Sequence, residues 1–210
     1  MDCFRSIMPA ISVLVANHNY GLFLSRCIRS ILSQSIPRQD YELVMVDDGS
    51  QDSSHAIYEN FSEDIRLFKL RENHGLSTAL NHGIRHCKGR YIVRVDADDY
   101  VHSDFLRILL STHELFEGHF EAVSCDYFSV REDGRDYQLV SATTNPIACG
   151  VMFKADIFSK LGFYDPSIRV GEEVDLMNKF QQAGFKLFNV NLPLYRYVRH
   201  DGSLSSTVFK

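Results

Sequence analysis

Short apolar runs alternate with helically spaced apolar positions through the first half of the chain. Residues 11–16 (ISVLVA), 41–46 (YELVMV), 65–70 (IRLFKL) and 91–95 (YIVRV) are compact and mostly apolar, as expected of strands covered on both faces. Between them, Leu24, Cys27, Ile28, Ile31 and Leu32 recur at the spacing of one helix face. Leu76, Ala79, Leu80, Gly83, Ile84 and Cys87 do the same, and a short helix is expected near residues 53–61. Strand–helix alternation with connections of this length implies right-handed crossovers. The expected fold class is therefore α/β, with a Rossmann-like, mostly parallel central sheet and helices on both faces.

The second half is less regular. Residues 120–130 and 136–141 predict strands flanking the turn in "REDGRD" (131–136). Residues 154–161 and 174–183 predict helices, and "FKLFNV" (185–190) a further strand. No internal repeat or low-complexity linker interrupts the chain, so residues 1–210 are expected to form one domain.

In an open parallel sheet, ligands bind beyond the carboxyl ends of the strands, and polar residues collect at those ends. Asn17, His18 and Asn19 follow the first strand, Asp47 and Asp48 the second, and Asp96 and Asp98 the fourth. In "VDDGSQDSS" (46–54), Gly49 suits a tight turn and Asp52 or Ser53 a helix cap. Capping does not account for the two adjacent aspartates, which can accept hydrogen bonds from a base edge or a ribose. In "VDADD" (95–99), Ser103 with Asp104 is expected to cap the following helix. Asp96 and Asp98 lie too early to serve its first turn. Alternation on an extended segment turns those two the same way, as hard oxygen ligands for Mg²⁺ or Mn²⁺, with Asp99 as support. The acids of "VGEEVDLMNKF" (170–180) fit either the positive end of a helix or a general base.

Composition narrows the classes. The chain is 45% hydrophobic and 23% charged with a net charge of −5, and it lacks the basic cluster a nucleic-acid module needs. Its five cysteines are scattered and never form C-x-x-C, which reads as buried thiols in a reducing compartment. Asp2 and Pro9 make the first residues a poor secretory signal, and no apolar run approaches a membrane span. A cytoplasmic protein is expected, with peripheral attachment to the inner face of a membrane left open.

Seven segments, in order, carry a resemblance: "VLVANHNY", "VMVDDGSQD", "ENHGLSTALNHGI", "GRYIVRVDADD", "GVMFKADIFSKLGFYDP", "GEEVDL" and "RHDGSLS". From Ile11 to about Ser206 the chain resembles family 2 glycosyltransferases, inverting enzymes of the GT-A fold that use nucleotide-sugar donors. The resemblance implies a nucleotide-sugar half (about 1–100) and an acceptor half (about 101–210). It implies nucleotide contacts from Ala16, Asn17, His18, Asn19, Asp48, Asn73, Gly75 and Asp96. Asp96, Asp98 and His200 would hold Mg²⁺ or Mn²⁺, Arg199 and His200 would add positive charge at the diphosphate, and the Gly- and Ser-containing tail would close over them. Glu173 falls at the catalytic base; with glutamate in place of aspartate there, either the backbone compensates for the longer side chain or Asp175 or Glu172 shares the role. The donor is expected to be a UDP-sugar, with GDP- and dTDP-sugars as alternatives, and the acceptor a glycan or lipid-linked hydroxyl in polysaccharide or glycoconjugate synthesis.

Three positions depart from the family pattern. Ala16 stands where proline is common, His18 where tyrosine is, and Glu173 where aspartate is usual. The chain also ends soon after Ser206, where many members continue. A non-catalytic nucleotide-sugar-binding protein and a sugar nucleotidyltransferase are the alternatives. The second would want a glycine-rich phosphate loop near the N-terminus, and a dinucleotide-dependent oxidoreductase would want G-x-G-x-x-G after the first strand. "ANHNYG" supplies neither.

Overall fold

The structure is a computed structural model that describes residues 8–134 and 137–201. Strands β1 (Ile11–Asn17), β2 (Tyr41–Asp48), β3 (Arg66–Leu70) and β4 (Tyr91–Arg94) are mutually parallel. Helices α1 (Gly21–Leu32), α2 (Ser54–Asn60) and α3 (Leu76–His86) connect them, as their periodicity predicts. β5 (Tyr100–Val101), α4 (Phe105–Leu115), β6 (Ala122–Arg131), β7 (Tyr137–Val140), β8 (Met152–Lys154), α5 (Asp156–Leu161), α6 (Glu172–Gln182) and β9 (Leu187–Arg199) follow. All nine strands join one sheet in the order β3-β2-β1-β4-β8-β6-β9-β5, with β7 on the free side of β6. Most of the paired length is parallel; β8 runs antiparallel between β4 and β6.

Because side chains alternate along a strand, the sheet has a core on each face. Val13, Val15, Leu43, Met45 and Val93 pack with α1, α2 and α4 on one side. Leu14, Val44, Val46 and Ile92 pack with α3, α5 and α6 on the other. Gly83 brings α3 down onto β1: a β-carbon there would stand 2.2 Å from Leu14 Cδ1, so any side chain would lift the helix.

Several expectations are corrected. β2 continues through Asp47 and Asp48, both almost fully buried, so the aspartates belong to the strand itself. β5 and β8 were not foreseen, and β9 extends nine residues beyond the expected Val190. Pro193 interrupts its pairing with β6 at a register shift around Asp126, the irregularity where a strand tolerates proline. Ser103 does not cap α4. Asp104 holds the N-cap position but makes no side-chain cap bond; its carboxylate accepts from Ser35 Oγ and Arg107 instead. At α2, Asp52 accepts from Ser54 N at 3.0 Å and from Gly21 N, the first residue of α1, at 2.8 Å. Cys27, Cys87, Cys125 and Cys149 are free thiols, three of them buried; Cys3 lies outside the described residues.

Candidate active site

The acidic turn after β4 is held from several directions. Arg26 on α1 donates to the Asp98 carbonyl at 2.9 Å, and Cys27 Sγ lies 3.4 Å from the Asp96 carbonyl. From β9, the fully buried Tyr195 hydroxyl accepts the Asp96 N–H at 3.1 Å and donates to Asp99 Oδ2 at 2.7 Å. Val198 N donates to Asp99 Oδ1 at 2.7 Å. Asp99 therefore faces β9, while Asp96 and Asp98 line a cavity. Burial, reinforced by the charges of Asp98 and Asp96, raises Asp99 well above the ordinary carboxylate range. That favours its neutral form and relieves part of the repulsion among the acids.

Arg94, a site residue not foreseen from the sequence, relieves the rest. It is buried at the end of β4 and forks onto Asp96, with Nε–Oδ1 at 2.6 Å and Nη2–Oδ2 at 3.2 Å. Its Nη1 also donates to the buried Glu172 at 3.0 Å. Desolvation opposes its charge, but the Asp96 and Glu172 carboxylates outweigh it and hold Arg94 firmly cationic. The signal was visible as one basic residue inside an apolar run, "YIVRV".

Two cavities adjoin above the carboxyl ends of β1, β2 and β4. The larger, about 670 Å³, is lined by His18, Asn19, Asp48, Asn73, His74 and Gly75 among others. Asp48 accepts from His74 N at 2.9 Å and Gly75 N at 2.8 Å, which holds the loop leading into α3. Gly75 has φ +91°, a backbone region that favours glycine. His18 Nδ1 lies 2.7 Å from the Asp48 carbonyl oxygen and must donate to it. Nε2 is then the acceptor for the Asn19 amide at 3.0 Å. The polar edge of His18 is spent, and what it offers a ligand is its ring face. Asn17 also borders this cavity, but its amide is directed inward. Nδ2 donates to Ser50, Ser54 and Tyr58, and Oδ1 accepts from Tyr20 N. It holds the β1–α1 loop against the β2–α2 loop instead of offering its amide to a base.

The smaller cavity, about 240 Å³, brings Asp96 and Asp98 together with Arg94, Glu172 and Glu173, and with Cys149, Tyr197 and the 146–148 segment. Glu173 is half-buried. Burial raises its pKa and the neighbouring Glu172 charge adds to this, while its own backbone N–H opposes the shift. Asp175 is a correction: it does not line the cavity, and its carboxylate lies 2.6 Å from Lys179 one turn along α6. Positions 173 and 175 are roughly 200° apart around a helix, so both cannot face the same ligand.

His200 contacts Asp98 but lines neither cavity among the described residues. Its Nε2 lies 2.9 Å from Asp98 Oδ2, and its ring packs on Phe23 with centroids 4.5 Å apart. Arg199 is exposed and does not line either cavity among the described residues. The rest of the tail, from Gly202, lies outside the described residues, and the expected closure with it.

A second group of candidate ligands, Asp96, Asp99 and Cys149, has atoms within 4.8 Å of one another. It suits Mg²⁺ or Mn²⁺ poorly. Burial keeps the Cys149 thiol protonated, sulfur is a soft ligand, and Asp99 is engaged by β9. The Asp98 carboxylate and the His200 imidazole are in contact, and both are donor types these ions take. Asp96 lines the same cavity as Asp98, with both its oxygens on Arg94. Among the described residues these three do not converge within 4.8 Å as the group with Cys149 does.

Residues 12–176 match the family described as glycosyl transferase family 2. The chain belongs to this family. It is 31% identical over 216 residues to the putative glycosyltransferase EpsE of Bacillus subtilis, covering 92% of this chain and 74% of that protein. It is 30% identical over 222 residues to glycosyltransferase GlyA of Streptococcus pneumoniae, covering 93% of this chain but 31% of GlyA. The chain thus spans only about a third of the length of some relatives. Among solved structures, Staphylococcus aureus TarS (residues 1–349) in complex with UDP-GlcNAc superposes with a TM-score of 0.79 at 17% identity, covering 95% of this chain and 61% of that one. The mannosyltransferase PcManGT of Pyrobaculum calidifontis, in complex with GDP-Man and Mn²⁺, gives 0.71 at 21% identity, covering 95% and 59%. The family member described here has the GT-A fold of these transferases. None of its described helices is long and apolar enough to cross a membrane.

Proposed function

We propose that this family 2 member transfers a sugar, with inversion, from a nucleoside-diphosphate donor to an acceptor hydroxyl in glycan synthesis. One observation carries the reading. Adjoining cavities put groups suited to a nucleotide on one side and a half-buried glutamate opposite two cavity-lining aspartates on the other. The base would lie on the His18 ring face, near Asp48 and Asn73. Asp96, oriented by Arg94, would face the ribose and the diphosphate.

Asp96, Asp98 and His200 would hold Mg²⁺ or Mn²⁺, in keeping with the Mn²⁺ of PcManGT. Such an ion supplies neutralisation of the charge that develops on the leaving diphosphate. Glu173 acts as general base: it takes the proton from the acceptor hydroxyl as that oxygen attacks the anomeric carbon from the face opposite the departing group. Burial suits this role, because a raised pKa makes the carboxylate a stronger base.

The test is release of nucleoside diphosphate from UDP-, GDP- and dTDP-sugars in the presence of Mn²⁺ and an acceptor glycan. Release from one donor class supports the reading. Donor binding with no turnover under any acceptor would identify a binding protein instead. For the metal, Asp98→Ala is expected to abolish the Mn²⁺-dependent part of donor binding, measured by calorimetry with and without the ion. Binding enhanced by Mn²⁺ as in the parent would remove Asp98 from the ligand set.

A further inference from the structure

The two cavities meet at a neck whose wall is common to both: Ala16, Tyr20, Leu76, Arg169 and Val170. Of these five, only Arg169 carries a charge. With the base in the larger cavity and the transferred sugar beside Glu173 in the smaller, a donor must run its diphosphate through this neck. We propose that Arg169 is the side chain that recognises the donor diphosphate, and that it sets the preference for diphosphate over monophosphate ligands. The assignment rests on the donor-site reading above.

The other nitrogen-bearing basic side chains on the cavity walls are already engaged. Arg94 is committed to Asp96 and Glu172. The edge of His18 is spent on the Asp48 carbonyl and Asn19. His74 lies 3.9 Å from the Glu72 carboxylate. Around them stand the carboxylates of Asp48, Asp96, Asp98, Glu172 and Glu173, so an incoming diphosphate meets a strongly acidic wall. A divalent cation offsets part of this repulsion. A guanidinium fork, matched to two phosphate oxygens, supplies direction as well as charge.

The segment carrying Arg169 is built to hold it there. Left-handed backbone at Gly162, Phe163 and Gly171 (φ +83°, +66° and +82°) turns the chain out of α5 and back into α6. Two residues of α3 anchor the stretch between. Asn81 donates to the Tyr164 carbonyl at 2.8 Å and accepts from Tyr164 N at 3.0 Å. Ser77 Oγ donates to the Ile168 carbonyl at 3.2 Å. The backbone is thus tied one residue before Arg169, while its side chain remains exposed and free of a large desolvation cost on reaching a phosphate.

The experiment is calorimetric titration of the full chain with UDP and UMP, and in parallel GDP and GMP, in Mn²⁺ buffer, for the parent, Arg169→Gln and Arg169→Lys. Arg169→Gln is expected to weaken the bound diphosphate about tenfold or more, the scale of a charge-assisted hydrogen bond, and to leave the monophosphate nearly unchanged. Arg169→Lys should recover part of the loss. Because the side chain is exposed, the ligand-free melting temperature should not move. Equal weakening of diphosphate and monophosphate, or unchanged diphosphate affinity, overturns the assignment and leaves the donor site standing. A parent chain that binds none of the four nucleotides overturns the donor site and the assignment with it.

Discussion

Glu173→Gln is expected to lower kcat by about 10²- to 10⁴-fold, the usual worth of a positioned general base, while donor affinity stays near the parent value. Glutamine keeps the shape of the side chain and loses its ability to take a proton, so the effect should fall on turnover and not on KM for the donor. The pH dependence gives an independent check. A base works only when unprotonated, so the rate should fall as pH drops through the Glu173 pKa. Burial and Glu172 raise that pKa, which places the acid limb at higher pH than for a solvent-exposed glutamate. Glu173→Gln should lose this limb. Glu173→Asp, which restores the residue usual in the family, should retain a measurable part of the rate, because its carboxylate is only one methylene further back. Parent-level turnover in Glu173→Gln would remove the base from the mechanism.

The largest stability effect is expected at Arg94. Arg94→Met keeps the length and apolar stem but leaves Asp96 and Glu172 facing each other without a cation. Breaking a buried ion pair from one side costs about 3–5 kcal/mol. For a chain of this size that is a melting-point drop of roughly 10 °C, measurable by calorimetry or denaturant titration. Activity should fall as well, since Asp96 loses the fork that orients it. The double variant Arg94→Met/Glu172→Met should recover part of the stability, because it removes the buried, orphaned Glu172 and leaves only the more exposed Asp96 without its cation. It should not recover activity. A single variant that melts with the parent would show that the Arg94 network contributes nothing to the fold.

The first half of the fold was legible because its signals are local. β1 to β4 and the helices between them follow from periodicity over windows shorter than twenty residues. β5, β8 and the part of β9 beyond Val190 escaped because their partners are remote. β9 pairs Ala122–Arg131 with residues some 65 positions later, and Pro193 within it argues against a strand for any reader who sees only one chain segment. Local capping rules also failed where tertiary partners competed for the same oxygens: Ser35 and Arg107 take Asp104. Helical phase alone separates Asp175 from Glu173.

Sequence by itself determined the α/β class, the strand ends that collect polar groups, the family resemblance, and the choice of Asp96, Asp98, Glu173 and His200 as candidates. Those residues sit at strand ends, a helix start and a loop, where motif and position coincide. Only the tertiary structure decided which carboxylates face the ligand and which face the protein. It turned Asp99 to Tyr195 and Val198, committed Asn17 to the neighbouring loop, and placed Arg94 between Asp96 and Glu172. It also brought Arg169, on a loop no motif marks, to the neck between the cavities. The physical reason is that like charges gathered at one sheet end must each find a donor or a cation. Here the partners are Arg94 on β4, Tyr195 and Val198 on β9, and His200 just after it, up to about a hundred residues away along the chain.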